Sequence, residues 1–246
     1  MATSPNRVRT ALTVVTAAAV AEARQVVAAA ETPAATRTAL FAAVPLIIPE
    51  YAAGSSALAL DWFEELREDA DTRRRFTPQP IELVTEDNFA AMIARATESL
   101  YEVEIGVRED IEKALAESLA EIEAQIVREV ADAYRDTIIE NAANDPESVG
   151  WRRFARPEAC KFCLMLAARG AVYKATTARF AAHGADMGNG RKGGDCMCIA
   201  GPAYGGKETW AEATPMQYLA SKEKRTAKER KALREYLNTN FPDAPG

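Results

Sequence analysis

The chain has 246 residues, of which 48% are hydrophobic and 27% charged, values that suit a soluble protein with one generous core or two compact units and exclude a disordered or membrane chain. Aromatic residues make up only 7% and alanine is abundant, so Ala-rich helices are expected rather than a β-sandwich, whose core needs β-branched and aromatic side chains. The net charge of −6 hides a split, with 13 Lys/Arg against 27 Asp/Glu in residues 1–149 and 17 against 9 in residues 150–246. The two halves are therefore suited to different partners, the basic one to phosphate, although charged surfaces also serve simply to keep helices soluble.

Arg7 and Arg9 ahead of the apolar run Ala11–Val20 imitate a signal peptide, but the run continues as Ala-rich helix to Glu31 without the small-residue break that a cleavage site prefers. No stretch reaches the roughly 18 uninterrupted apolar residues of a membrane span, so a soluble product made in the cytosol, without membrane contact, is expected. Residues 8–31 read as a first helix stopped by Pro33. Pro45 and Pro49 bracket Leu46, Ile47 and Ile48, which predicts a buried turn between helices. A second helix fits Tyr51–Arg75, because Leu58, Trp62, Phe63 and Leu66 recur at three- and four-residue steps; Thr77-Pro-Gln-Pro80 ends it.

The longest signal runs from Thr85 to Asn141, with apolar positions at three- and four-residue steps from Phe89 through Leu100, Val107, Leu115, Ile122 and Ile126 to Ile138. Their mean step exceeds 3.6, which suits a nearly straight helix rather than a left-handed coil. Unbroken, it would be about 85 Å long, with Gly106 as the point where a kink or break would fall. Such a helix cannot bury its stripe alone, so packing on the earlier helices, on another subunit, or on both is expected. The turn-forming stretch Asn141–Ser148 coincides with the charge switch. It divides the chain into a helical arm or bundle (1–148), a Cys-rich module (149–206) and a C-terminal part (207–246), in which Thr214–Tyr218 and the basic stretch Ser221–Leu237 read as helices.

All four cysteines lie within 39 residues, as Cys160-Lys-Phe-Cys163 and, after 32 intervening residues, Cys196-Met-Cys198. A Cys-x-x-Cys pair turns both sulfurs to one side and can grip a tetrahedral Zn²⁺, which a second pair completes. His183, the lone histidine, is the alternative to one sulfur; a disulfide pair or a set of reduced core thiols are the competing readings. Between the pairs, Leu164–Ala168 reads as a short helix capped at Gly170, and Gly184–Gly194 as a glycine-rich loop that lacks the Gly-Lys-[Ser/Thr] ending of a phosphate-binding loop.

Trp151-Arg-Arg-Phe-Ala-Arg-Pro157, Cys160-Lys-Phe-Cys163, Ala168-Arg-Gly-Ala-Val-Tyr173 and a Cys-x-Cys ending at Cys198 before Pro202-Ala-Tyr204 resemble the MuF-like domain of minor head proteins of actinobacterial tailed phages. The likeness is sharp over Val149–Tyr204 and looser over the preceding helices, where Tyr51 to Phe63 matches a Tyr-x₆-Leu-Ala-x-x-Trp-Phe stripe. It implies a mainly α protein: an elongated N-terminal helical bundle with a very long helix, then a small zinc-stapled α+β module and C-terminal helices. It also implies a structural role in head morphogenesis inside the virion capsid, beside the portal and major capsid protein and near packaged DNA. Relatives often carry a histidine just ahead of the Cys-x-Cys, where this chain has Arg191-Lys-Gly-Gly-Asp195, so the resemblance favours Cys196 over His183 as fourth ligand. A capsid maturation protease is the alternative function. A Ser-His triad would have to use the single histidine and one of seven serines, none of them in a Gly-x-Ser-x-Gly elbow, so no enzyme is expected.

Overall fold

The structure is a computed structural model, which describes residues 4–82, 86–155, 164, 167, 198–204 and 226–240. Among the described residues, five helices, a two-stranded ribbon and a further helix follow in order: α1 (Pro5–Ala28), α2 (Pro33–Asp69), α3 (Glu86–Ala96), α4 (Glu98–Glu104), α5 (Ile111–Asn144), β1 (Ser148–Phe154), β2 (Ile199–Tyr204) and α6 (Ala227–Asn240). The protein is mainly helical, as composition requires.

Local chemistry sets the helix ends. Ser4 and Thr32 accept the main-chain N–H groups of Arg7 (3.4 Å) and Ala35 (3.1 Å), each with a proline at the first helical position where its missing N–H costs nothing. Pro33 thus opens α2 as well as closing off α1. The expected turn at Pro45–Pro49 is absent, and α2 runs straight through both prolines. Two backbone bonds are lost, since Pro45 cannot donate to the carbonyl of Phe41 nor Pro49 to that of Pro45. Burial of Val44, Ile47 and Ile48 on one side outweighs the two lost bonds. The same helix stops at Asp69 rather than Arg75, because Asp71 takes a left-handed conformation (φ 52°) and the N–H groups of Asp71 and Thr72 turn back to the carbonyls of Glu68 (3.1 Å) and Arg67 (3.4 Å). Aspartate is among the few residues that tolerate this cap.

The single long helix expected over Thr85–Asn141 is three helices. At Thr97 the hydroxyl bonds back to the Ile93 carbonyl at 2.8 Å and offers no cap to α4, a competition with the backbone ladder that bends helices. At Gly106 (φ 73°) the chain turns, the N–H groups of Gly106 and Val107 returning to Val103 (3.1 Å) and Glu102 (2.8 Å), the paired bonds of a Schellman cap. Asp110 then caps α5 by accepting from Lys113 N–H at 2.9 Å. The stripe itself is core as expected: Phe89, Ala96, Leu100, Ile122, Ile126, Val130, Tyr134 and Ile138 are buried, whereas Val107 and Ile111, at the break, are exposed.

α1 runs antiparallel to α2 and α5, and α3–α4 carry the chain back along the bundle so that α2 and α5 lie parallel. One half of the core joins Ala19, Ala23, Leu40, Ile47, Ile93 and Ile126. The other joins Val8, Leu12, Trp62, Phe63, Tyr134 and Ile138 to Trp151, Cys198, Ile199 and Ala200 of the ribbon. The described strands of the Cys-rich module thus share a core with α1, α2 and α5. α1 and α2 are long and apolar enough to cross a membrane by length and composition alone, yet a third or more of their most apolar windows, 33% and 39%, is buried within the protein.

Candidate metal centre and its ribbon

β1 and β2 pair antiparallel, from Ser148 opposite Tyr204 to Phe154 opposite Ile199, with an irregularity between Ser148 and Gly150 where Gly150 adopts a positive φ of 140°. The chain thus leaves β1 and re-enters β2 at one place, and Ala155 and Cys198 are the two posts of that gate.

Arginines from two helices hold the gate by its main chain. Arg9 of α1 donates from Nη2 to the carbonyls of Phe154 (3.2 Å) and Ala155 (3.1 Å), while Nη1 reaches Asn6 Oδ1 at 2.5 Å. Arg135 of α5 donates from Nε to the Cys198 carbonyl at 3.3 Å and from Nη1 to Asp132 Oδ1 at 2.6 Å. Beside it, Tyr134 donates its hydroxyl to the Ala200 carbonyl at 3.1 Å. Burial pushes the Tyr134 phenol well above its ordinary value, against a smaller opposing pull from Arg9 and Arg135, so it stays a donor at every physiological pH. Trp62 packs beneath, its ring 5.4 Å from that of Phe154.

The opposite end of the ribbon is clamped by Asp145. Its side chain is fully buried and accepts from Arg67 Nε at 2.6 Å and Nη2 at 3.3 Å, from the Tyr204 hydroxyl at 3.1 Å and from the Glu147 N–H at 3.0 Å. Burial, reinforced by the negative Asp145, raises the Tyr204 phenol far above its usual range. Glu147 in turn accepts the main-chain N–H groups of Arg73 and Arg74 just past the α2 cap, and these bonds hold its carboxyl below the ordinary carboxylate value. Breaking a buried pair such as Arg67–Asp145 typically costs about 3–5 kcal/mol, so the ribbon is a fixed platform and not a loose hairpin.

Of the five residues expected to bind metal, Cys198 is described; Cys160, Cys163, Cys196 and His183 lie outside the described residues. Cys198 is 1% exposed and belongs to the core shared with the helices. Leu164, the residue after Cys163, is helical and packs against the same core, in keeping with the short helix expected there. The Cys198 sulfur is a soft donor of the kind that tetrahedral Zn²⁺ sites use. The donor chemistry at this position therefore fits Zn²⁺ if further thiolates join it. Among the described residues, no three His, Cys, Asp or Glu side chains form a group able to hold a metal ion.

A family model described as VG15 protein matches residues 2–224, a span that takes in α1–α5, both strands and the whole Cys-rich segment. The chain belongs to the VG15 protein family. It is accordingly a phage-encoded protein. No curated protein and no solved structure matches it. Sequence reasoning on this family member missed the clamping roles of Arg9, Arg135 and Asp145, and named Tyr204 only as the end of a motif. Asp145 reads as turn chemistry in Asn-Asp-Pro-Glu, and Arg135 as one more surface charge on a helix, because nothing in their spacing reveals a ribbon that arrives from 60 residues downstream.

Proposed function

We propose that this phage protein is a MuF-like minor head protein: a structural component of head morphogenesis, placed beside the portal inside the capsid, not an enzyme. The observation that carries the reading is a coincidence of limits. The MuF-like resemblance is sharp over Val149–Tyr204, and this is the segment that β1 opens at Ser148 and β2 closes at Tyr204, with the Trp151-Arg-Arg-Phe154 motif on one strand and the end of the Cys-x-Cys motif at the head of the other. A module pinned to a helical bundle at both ends of its base suits docking and bracing rather than turnover.

Within this reading the closed segment is stapled by one structural Zn²⁺, with Cys160, Cys163 and Cys198 as the firmest ligands and Cys196 ahead of His183 for the fourth. In sequence Cys160 follows the gate residue Ala155 by five positions and Cys163 directly precedes Leu164, which packs on the core that holds Cys198. The basic C-terminal half, with 17 Lys/Arg against 9 Asp/Glu, then offers a contact to packaged DNA.

The test is mass spectrometry of purified heads combined with elemental analysis of the isolated protein. The chain should accompany the portal and major capsid protein in few copies, with about one zinc per chain that is lost in Cys163→Ser, and His183→Ala should leave the processing of other head proteins unchanged. Heads that lack the chain, or an uncleaved capsid precursor appearing only in His183→Ala, would overturn the structural reading.

A further inference from the structure

The end of the bundle away from the ribbon carries an exposed apolar group that the fold does not use. Tyr101, Ile105, Val107 and Ile111 are 45%, 54%, 70% and 50% exposed, and all four fall within the last turn of α4, its cap and the first residue of α5. The Schellman cap folds Val107 back over the end of α4, where such a residue commonly closes an apolar contact with the helix. Here the facing positions are Glu102 and Tyr101, whose ring lies 4.7 Å from the Arg37 guanidinium, and Val107 stays in solvent. Scattered exposed side chains need no explanation, but a cluster of large ones on a rigid turn marks an interaction surface.

Charge identifies the occupant. The turn is surrounded by Glu98, Glu102, Glu104, Glu109, Asp110 and Glu112. Of the nearby cations Arg108 pairs with Glu117 (2.7 Å) and Arg37 with Glu104 (2.7 Å), and with Lys113 these are three cations against the six acids. The cap is thus apolar at its centre and acidic at its rim. The same chain presents the complementary surface: Lys228, Lys231 and Arg234 stand exposed at three-residue steps along α6, in the half of the chain where 17 Lys/Arg face 9 Asp/Glu. We infer that copies of this protein associate head to tail, the acidic apolar tip at the α4–α5 turn of one copy docking on the basic face of α6 of the next. The contact is heterologous, so it extends to rings or short files and does not stop at a symmetric dimer.

Sedimentation of the full chain over a range from low micromolar to several hundred micromolar tests this. Wild-type mass should rise with concentration and fall back in high salt, because rim charges are screened. Val107→Lys with Glu109→Lys should stay monomeric with unchanged circular dichroism, as both side chains are exposed and lie between α4 and α5, and as cations repel the basic face. Lys231→Glu with Arg234→Glu should also be monomeric. An equimolar mixture of the two double variants should form a one-to-one dimer and nothing larger, since only one intact tip and one intact basic face remain. A wild type that is monomeric throughout, a tip variant that associates like the wild type, or a mixture that stays monomeric would each overturn the inference, the first leaving the tip to a different protein.

Discussion

Glu129 is a carboxylate in a place that disfavours its charge. It sits on α5 at the edge of a cleft of about 90 Å³ floored by Ile48, Ala52, Phe89 and Ala133. Burial raises its pKa above the ordinary 4.5, with further contributions from Asp132 and Asp136 that Arg128 only partly opposes. A carboxyl whose folded pKa is raised adds stability that is complete below its unfolded value and lost as pH climbs through the folded one. At neutral pH the ionised group therefore costs stability. Glu129→Gln should raise the melting temperature at pH 7, and the gain should close as pH falls below about 4, where both states of the wild type are protonated. A glutamine variant less stable than wild type at pH 7 would mean that the carboxylate has a favourable partner. Glu147 is the opposite case: held low by the N–H groups of Arg73 and Arg74, it supports the fold above its unfolded value and less as pH falls through the folded one.

Among the elements, two glycines with equal room make opposite demands. A methyl group at Gly54, inside α2, or at Gly106, in the α4–α5 turn, would meet nothing within 4 Å, so space decides neither. Gly54 is helical, and Gly54→Ala should stabilise by about 0.5–1 kcal/mol because alanine loses less backbone entropy. Gly106 has φ 73°, and Gly106→Ala should destabilise by about 1–2 kcal/mol because a Cβ strains the left-handed conformation. Urea midpoints of the two variants should move in opposite directions. Midpoints that move together would contradict the cap at Gly106. The turn is also what separates the buried stripe of α5 from the exposed Val107 and Ile111, so a chain straightened there would present a different tip.

For the whole molecule, the question is whether ribbon and bundle unfold as one. Gly201 of β2 lies where an added Cβ would come within 2.7 Å of Phe154 Cε2 and 3.0 and 3.1 Å of the Trp62 ring, which joins β1, β2 and α2 at one point. Gly201→Ala should cost about 1–3 kcal/mol through overpacking. Because Trp62, Tyr134, Trp151 and Ala200 share a single core cluster, helical circular dichroism and tryptophan fluorescence should shift to a lower midpoint together. A variant that loses the fluorescence transition early, with the helical transition unmoved, would restore the picture of two separate cores.

The sequence by itself determined the helical class, the buried stripe through Ile122, Ile126 and Ile138, the core positions Trp62 and Phe63, and Gly106 as the weak point of the long helical stretch. These follow from periodicity and from backbone preference, which act over a few residues and are written locally. Tertiary structure alone decided that α2 passes through Pro45 and Pro49, since two missing hydrogen bonds were outweighed by burial of Ile47 and Ile48 against α1 and α5. It also decided that the turn residue Asp145 is a buried counter-ion for Arg67, and that Arg9 and Arg135 clamp the strand ends beside Cys198. Those roles depend on partners from 63 to 146 residues away in the chain, and no local pattern encodes a contact that exists only once the ribbon has closed on the bundle.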